Sequence, residues 1–258
     1  MTNFIFLLRK SIAGLDRYPA FLLISWLAVM VSLPLLRQAY GEQTFLQGLA
    51  LVVLIQLLFV LQVLYQAWGW WSMLRVALGV VFLAWAAEAI GIRTGYPFGS
   101  YHYTSLLQPQ VLGVPLLIPL AWLMMLPPAW TVARLVTRKV SGCLMRPAFV
   151  LVSALVFSVW DFYMDPLMVQ WGIWEWNTPG GYFGIPWLNL IGWLLVSGSI
   201  TFAISPKHFP GGLLVWVYVL TWLVEFILLL LFGGLPGPAL VGFCLMGAML
   251  LWAAINAR

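Results

Sequence analysis

Long apolar runs separated by short polar breaks fill almost the whole 258-residue chain. A helix needs about 20 mostly apolar residues to cross a bilayer. On that measure the pattern predicts spans at 20–36, 44–65, 72–91, 114–135, 147–165, 186–204, 212–232 and 239–255. The apolar stretch from 44 to 91 is too long for one span, and Gly69 with Trp68, Trp70 and Trp71 suggests an interfacial turn between Gln66 and Ser72. The runs are rich in Leu, Val and Ala and lack period-two alternation. That favours helices over a β-barrel, because in lipid every backbone polar group needs an internal partner. Ahead of the spans, residues 1–18 set Arg9, Lys10 and Arg17 among Phe4, Leu7, Leu8 and Ile12, the pattern of an interfacial amphipathic helix. The expected fold is an all-α integral membrane protein: one polytopic domain, a bundle of about eight transmembrane helices, with seven as the alternative count.

Composition agrees with that picture. The chain is 64% hydrophobic, 16% aromatic and 7% charged, whereas a soluble domain averages about 25% charged residues. The net charge of +5 does not point to nucleic acid, because the basic residues sit in short connections where membrane orientation explains them. With the N-terminus in the cytoplasm, that side collects Arg9, Lys10, Arg17, Arg75, Arg134, Arg138, Lys139, Arg146, Lys207 and Arg258, leaving Arg37 and Arg93 opposite. This bias predicts a multi-pass protein of the cell (inner) membrane with both termini cytoplasmic. No small-residue cleavage site follows the first apolar run, so no removable signal peptide is expected. Cys143 and Cys244 make neither a disulfide framework nor a metal site and read as free.

Two connections on the expected outer side, 92–113 and 166–185, are rich in Gly, Pro, Tyr and Trp and poor in charge. Such composition suits re-entrant or interfacial segments. They also resemble each other. At a constant offset of 73, Glu88 matches Asp161, Gly99 matches Gly172, Tyr101 matches Trp174 and Tyr103 matches Trp176. After a two-residue adjustment, Gly113-Val114-Pro115 matches Gly184-Ile185-Pro186, and Trp122 matches Trp193. Each unit reads as an acid at a helix end, an aromatic loop, then a proline opening the next helix. This predicts an internal repeat, with units at about 72–135 and 147–204, and repeat interfaces often hold the site in membrane proteins.

Of seven acidic residues, Asp16 and Glu42 lie in polar connections and read as solvated charges. The other five, Glu88, Asp161, Asp165, Glu175 and Glu225, fall toward one membrane face and are the candidate catalytic groups. An ionisable group at membrane depth costs about 2.5–3.5 kcal/mol or more, so it is usually functional. Asp161 and Asp165, four apart, share a helical face. Two carboxyls that close do not ionise together, which suits general acid–base chemistry. The blander readings are a capping pair, or ion pairs of Glu88 or the aspartates with Arg93. Tyr218, Thr221, Trp222 and Glu225 share one face of span seven, where Glu225 serves function or simple interhelical hydrogen bonding. His102 lies between two tyrosines and His208 follows Lys207; both fit structural or interfacial roles. Asn189 could orient a water or a carboxylate. Most aromatics belong to interfacial belts, but Trp171, Trp174, Trp176, Tyr182, Phe183 and Trp187 cluster densely, and such faces attract cations. The candidate substrate-binding residues are Tyr101, His102, Tyr103, Trp174, Trp176, Trp187, Asn189 and Trp222. Phosphate-loop, dinucleotide, metal-ligand and DDxxD-type patterns are absent from the sequence, so no cofactor or metal is expected.

At these same segments the sequence resembles the CruF-type carotenoid biosynthesis family, the membrane carotenoid 1,2-hydratases. The likeness rests on Gly95, Pro97, Phe98, Gly99 and Tyr101, on Asp161, Asp165 and Pro166, and on Gly184, Ile185, Pro186 and Asn189. The two stretches, Glu88 to Trp122 and Asp161 to Trp193, make about a quarter of the chain. The resemblance implies a lycopene-like polyene as partner and water addition across the terminal C1–C2 double bond of its acyclic ψ-end. The fold is also similar to the small membrane lycopene cyclases of the heterodimeric type. Cyclisation begins with the same protonation but quenches the cation with the neighbouring double bond. A transporter or lipid-binding protein without chemistry, or a structural subunit, completes the alternatives.

Overall fold

In the computed structural model, which describes residues 2–206 and 211–257, helices account for most of the chain. The expected charges at Lys207 and Arg258, and His208, lie outside the described residues. Helix α1 (Thr2–Ala13) precedes seven helices long and apolar enough to cross a membrane: α2 (Arg17–Trp68), α3 (Trp70–Thr94), α4 (Leu117–Val136), α5 (Met145–Gln170), α6 (Trp187–Ile204), α7 (Leu213–Leu231) and α8 (Pro236–Asn256). A straight α2 would be about 78 Å long at 1.5 Å per residue, far more than a bilayer of about 30 Å. It is instead a hairpin. Gly41, at φ 80°, turns the chain in a region closed to most side chains. Beyond the turn, a Cβ built on Gly48 would come 2.6 Å from Leu33 Cδ2, and Arg37 lies over the Phe45 ring at 5.0 Å. The limbs 17–40 and 42–68 occupy the first two expected spans, so both span counts describe the same chain. The break expected near Gly69 falls there, with Gly69 at φ 73°.

Two boundaries differ from expectation. Helix α3 runs on to Thr94 and α5 to Gln170, so Glu88, Asp161 and Asp165 lie inside helices, not at their ends. Pro166, inside α5, removes the bond to the carbonyl four residues back. That carbonyl, Phe162 O, instead accepts the Tyr182 hydroxyl at 2.9 Å, and the helix continues. Tyr182→Phe leaves this carbonyl without a donor, and about 1–3 kcal/mol of stability should go with it. Thermal unfolding in detergent measures this; an unchanged midpoint would reject the account.

The two aromatic connections clasp each other over the acid-bearing turns of α3 and α5. Strand β1 (Tyr101–Tyr103) belongs to the first, as do β2 (Gln110–Val111) and β3 (Val114–Pro115), which pair locally; β4 (Trp174–Trp176) belongs to the second. β1 pairs antiparallel with β4, placing Tyr101 opposite Trp176, His102 opposite Glu175 and Tyr103 opposite Trp174. Thr104 Oγ1 donates to Gly172 O at 2.7 Å and Asn177 Nδ2 to Ser100 Oγ at 2.6 Å, locking both flanks. Beneath the clasp, α4 is the most buried helix, with Trp122 stacked on Trp193 of α6 at 4.9 Å. The connection carrying Phe98 presses directly on α6: a Cβ on Gly192 would lie 2.7 Å from Pro97 O.

Candidate active site

Three helices bring polar side chains to one buried point under the clasp. α3 supplies Glu88, α5 supplies Asp161 and Asp165 one turn apart, and α6 supplies Asn189, all 4% exposed or less. The Asn189 amide donates to Asp161 Oδ2 at 2.9 Å and also to Asp165 Oδ2. The two aspartates thus share one amide, and Asp161 Oδ1 has no hydrogen-bond partner. Glu88 Oε2 accepts the Tyr101 hydroxyl and, at 2.9 Å, the Tyr103 hydroxyl. Burial first, and then the Glu88 carboxyl, push both phenols well above the usual tyrosine range. They therefore remain donors at any ordinary pH. Burial, with Asp161 and Asp165 next, likewise raises Tyr182. The alternative pairings with Arg93 are not formed: among the described residues the ion pairs are Arg37–Glu42 and His102–Glu175. Carboxyls gathered without a countercharge share protons instead of all ionising.

Two cavities meet here. The smaller, about 30 Å³, is lined by Glu88, Asp165, Asn189, Tyr101 and Tyr103 together with rings that include Phe98, Trp122 and Trp193. That is room for one or two waters among polar partners. The larger, about 310 Å³, is an apolar groove between the α2 hairpin and the ends of α4, α5 and α7. It reaches the surface near Arg37, Leu231 and Phe232, the last two more than half exposed. Ile118, Ala121, Trp160, Met164 and Trp174 line both, so the groove adjoins the acid cavity. Trp160 is the partition. Its Nε1 donates to both oxygens of Glu225, each at 3.0 Å, and its ring lies edge-on to Trp193 at 6.0 Å.

The structure brings together Glu88, Asp161, Asp165, Asn189, Tyr101, Tyr103, Trp174 and Trp176. Glu225 stands apart from them, facing the groove across Trp160. Four other candidates lie elsewhere. His102 and Glu175 point out of the β1–β4 ladder, with side chains 58% and 59% exposed and 3.8 Å apart. Strand geometry requires this, because neighbouring side chains alternate faces and Tyr101, Tyr103 and Trp174 take the inner one. Trp187 is exposed and tilts against Tyr182. Trp222 turns to α8, where it stacks on Phe243 and donates to its carbonyl at 2.8 Å. The site also uses Phe98, named above only for the family likeness, and Trp160, Met164, Ile118 and Ala121, which sequence reasoning did not single out. A signal existed for part of this set: Ile118, Ala121 and Trp122 follow Gly113-Val114-Pro115 at helical spacing.

Comparison with known proteins matches residues 48–249 to the family described as carotenoid biosynthesis protein. Bisanhydrobacterioruberin hydratase of Haloarcula japonica is 32% identical to this chain over 131 residues, which is 49% of this chain. The chain spans 43% of the length of that curated relative. No solved structure matches the chain.

Proposed function

We propose, on the premise that this chain belongs to the carotenoid biosynthesis protein family, that it is a carotenoid 1,2-hydratase working by acid protonation and water capture. The observation that carries the reading is a caged set of carboxyls, without a countercharge, beside an apolar groove. The groove takes the acyclic end of the polyene from the bilayer and delivers its terminal double bond past Ala121. Asp165, which lines the small cavity while Asp161 does not, gives its proton to C2. The positive charge then sits at C1, a tertiary carbon, facing the rings of Trp160, Trp193 and Trp122. A water in the small cavity attacks C1, and its surplus proton passes to the Glu88 carboxylate. Proton return to Asp165 through the cavity closes the cycle, so the net change is one water added. Asp161 and Asn189 position Asp165. The tight aromatic cage keeps other water from the cation.

The activity named for the Haloarcula japonica relative, a hydratase, supports water over the internal double bond as the quencher. Expression in a lycopene-producing host tests this by chromatography and mass. Pigment heavier by one water is expected; an isomer of unchanged mass would favour cyclisation, and unaltered pigment a binding or transport protein.

Glu225 acts by holding the partition. Glu225→Leu frees the Trp160 indole and should lower turnover about tenfold, whereas Glu225→Gln still accepts the indole N–H through its amide oxygen and should keep most activity. Equal loss in both variants would mean that the carboxyl itself enters the chemistry.

We also infer that units 72–135 and 147–204 are a structural duplication about a pseudo-twofold axis. The offset of 73 converts the Tyr101–Trp176 pair into Trp174–Tyr103 and returns His102–Glu175 to itself, and the matched Trp122 and Trp193 stack. The site then lies between the units, with Glu88 and Asp161 as counterparts. The excess of basic residues at the end opposite the acids supports cytoplasmic termini in the cell membrane, with α1 along its surface.

A further inference from the structure

A second groove, about 500 Å³, runs along the exterior between α5 and α6 at the end of the bundle opposite the acids. Its floor is made of small residues: a Cβ on Gly198 would rest 3.5 Å from Ala154 Cβ. Val150, Leu151, Leu194 and Leu195 form apolar walls. At its mouth stands Arg146, whose guanidinium lies over the Phe202 ring at 4.3 Å. Arg146 Nη2 donates to Phe202 O and to Ser205 Oγ, both at 3.1 Å. These contacts hold the head in one place while using one nitrogen of a five-donor fork that suits phosphate oxygens. The surrounding charge has the same sign. Arg134, Arg138 and Lys139 lead into α5, Arg9, Lys10, Arg17 and Arg75 lie at the same end, and among the described residues Asp16 is the acid there.

We propose that this groove binds an anionic phospholipid, with one acyl chain over Gly198 and Ala154 and the phosphate on Arg146. An apolar groove that ends in a fixed cation, at a strongly basic membrane boundary, complements such a molecule in polarity and in charge. The bound lipid would also staple α5, which carries both aspartates, to α6, which carries Asn189.

The test uses the 258-residue chain in detergent, given equal amounts of phosphatidylglycerol and phosphatidylcholine, with retained lipid counted by native mass spectrometry. The unaltered chain should keep phosphatidylglycerol about fivefold over phosphatidylcholine, the effect of one well-placed arginine. Arg146→Gln should erase the preference. Ser199→Trp, at an exposed wall position, should fill the track and expel lipid of either kind with Arg146 still present. Thermal unfolding checks that both variants remain folded. No preference in the unaltered chain, an unchanged preference in Arg146→Gln, or full retention in Ser199→Trp would each overturn the site.

Discussion

Replacing Asp165 by Asn should remove hydrated carotenoid from a lycopene-producing host while the protein still inserts and accumulates. Positioned acid catalysis is worth about 10²–10⁴-fold, and asparagine has no carboxyl proton to give. The exchange is close to isosteric, and the new amide oxygen can still accept the Asn189 N–H that Asp165 Oδ2 accepts now. Loss of product therefore reports chemistry more than folding. Glu42→Gln is the matching control, since Glu42 pairs with Arg37 at 2.9 Å on a partly exposed turn. The check is the ratio of hydrated to parent pigment, normalised to the amount of protein in the membrane fraction. Normal product from Asp165→Asn would eliminate this residue as the proton donor.

The second large effect should come from a residue with no chemistry at all. Ala121 lines both the apolar groove and the acid cavity. Ala121→Phe puts a ring where the polyene end must pass and leaves every carboxyl in place. Displacing reacting groups by about 1 Å can cost about 10²-fold, so a loss of at least that size is expected. Ala121→Gly should keep the passage open and the activity near normal. The rate of pigment conversion in isolated membranes distinguishes the two. Full activity in Ala121→Phe would mean that substrate reaches the acids by another route.

Much of the fold was legible because lipid imposes one-dimensional rules. Span length, positive charge and the absence of strand periodicity are local properties, and the two limbs of α2 with α3 to α8 lie on the expected runs. The turn at Gly69 was readable for the same reason. The extensions of α3 and α5 were not, because they depend on distant partners. Pro166 strands the Phe162 carbonyl, and Tyr182 arrives from sixteen residues away to occupy it. The candidate site divides along the same line. Glu88, Asp161, Asp165 and Asn189 stand out in the sequence because polar groups are rare at membrane depth. His102 and Glu175 were also candidates, from the aromatic loops, and the β1–β4 pairing turns them away.

By itself the sequence determined the class of molecule, its spans and the short list of residues able to handle a proton, since each follows from hydropathy, charge and residue chemistry along the chain. The tertiary structure alone decided which of those residues share a cavity, that Trp160 and Glu225 form a wall beside it, and that an apolar groove leads there. Those facts depend on how separate helices rotate and pack against one another, and no spacing within a single helix encodes that.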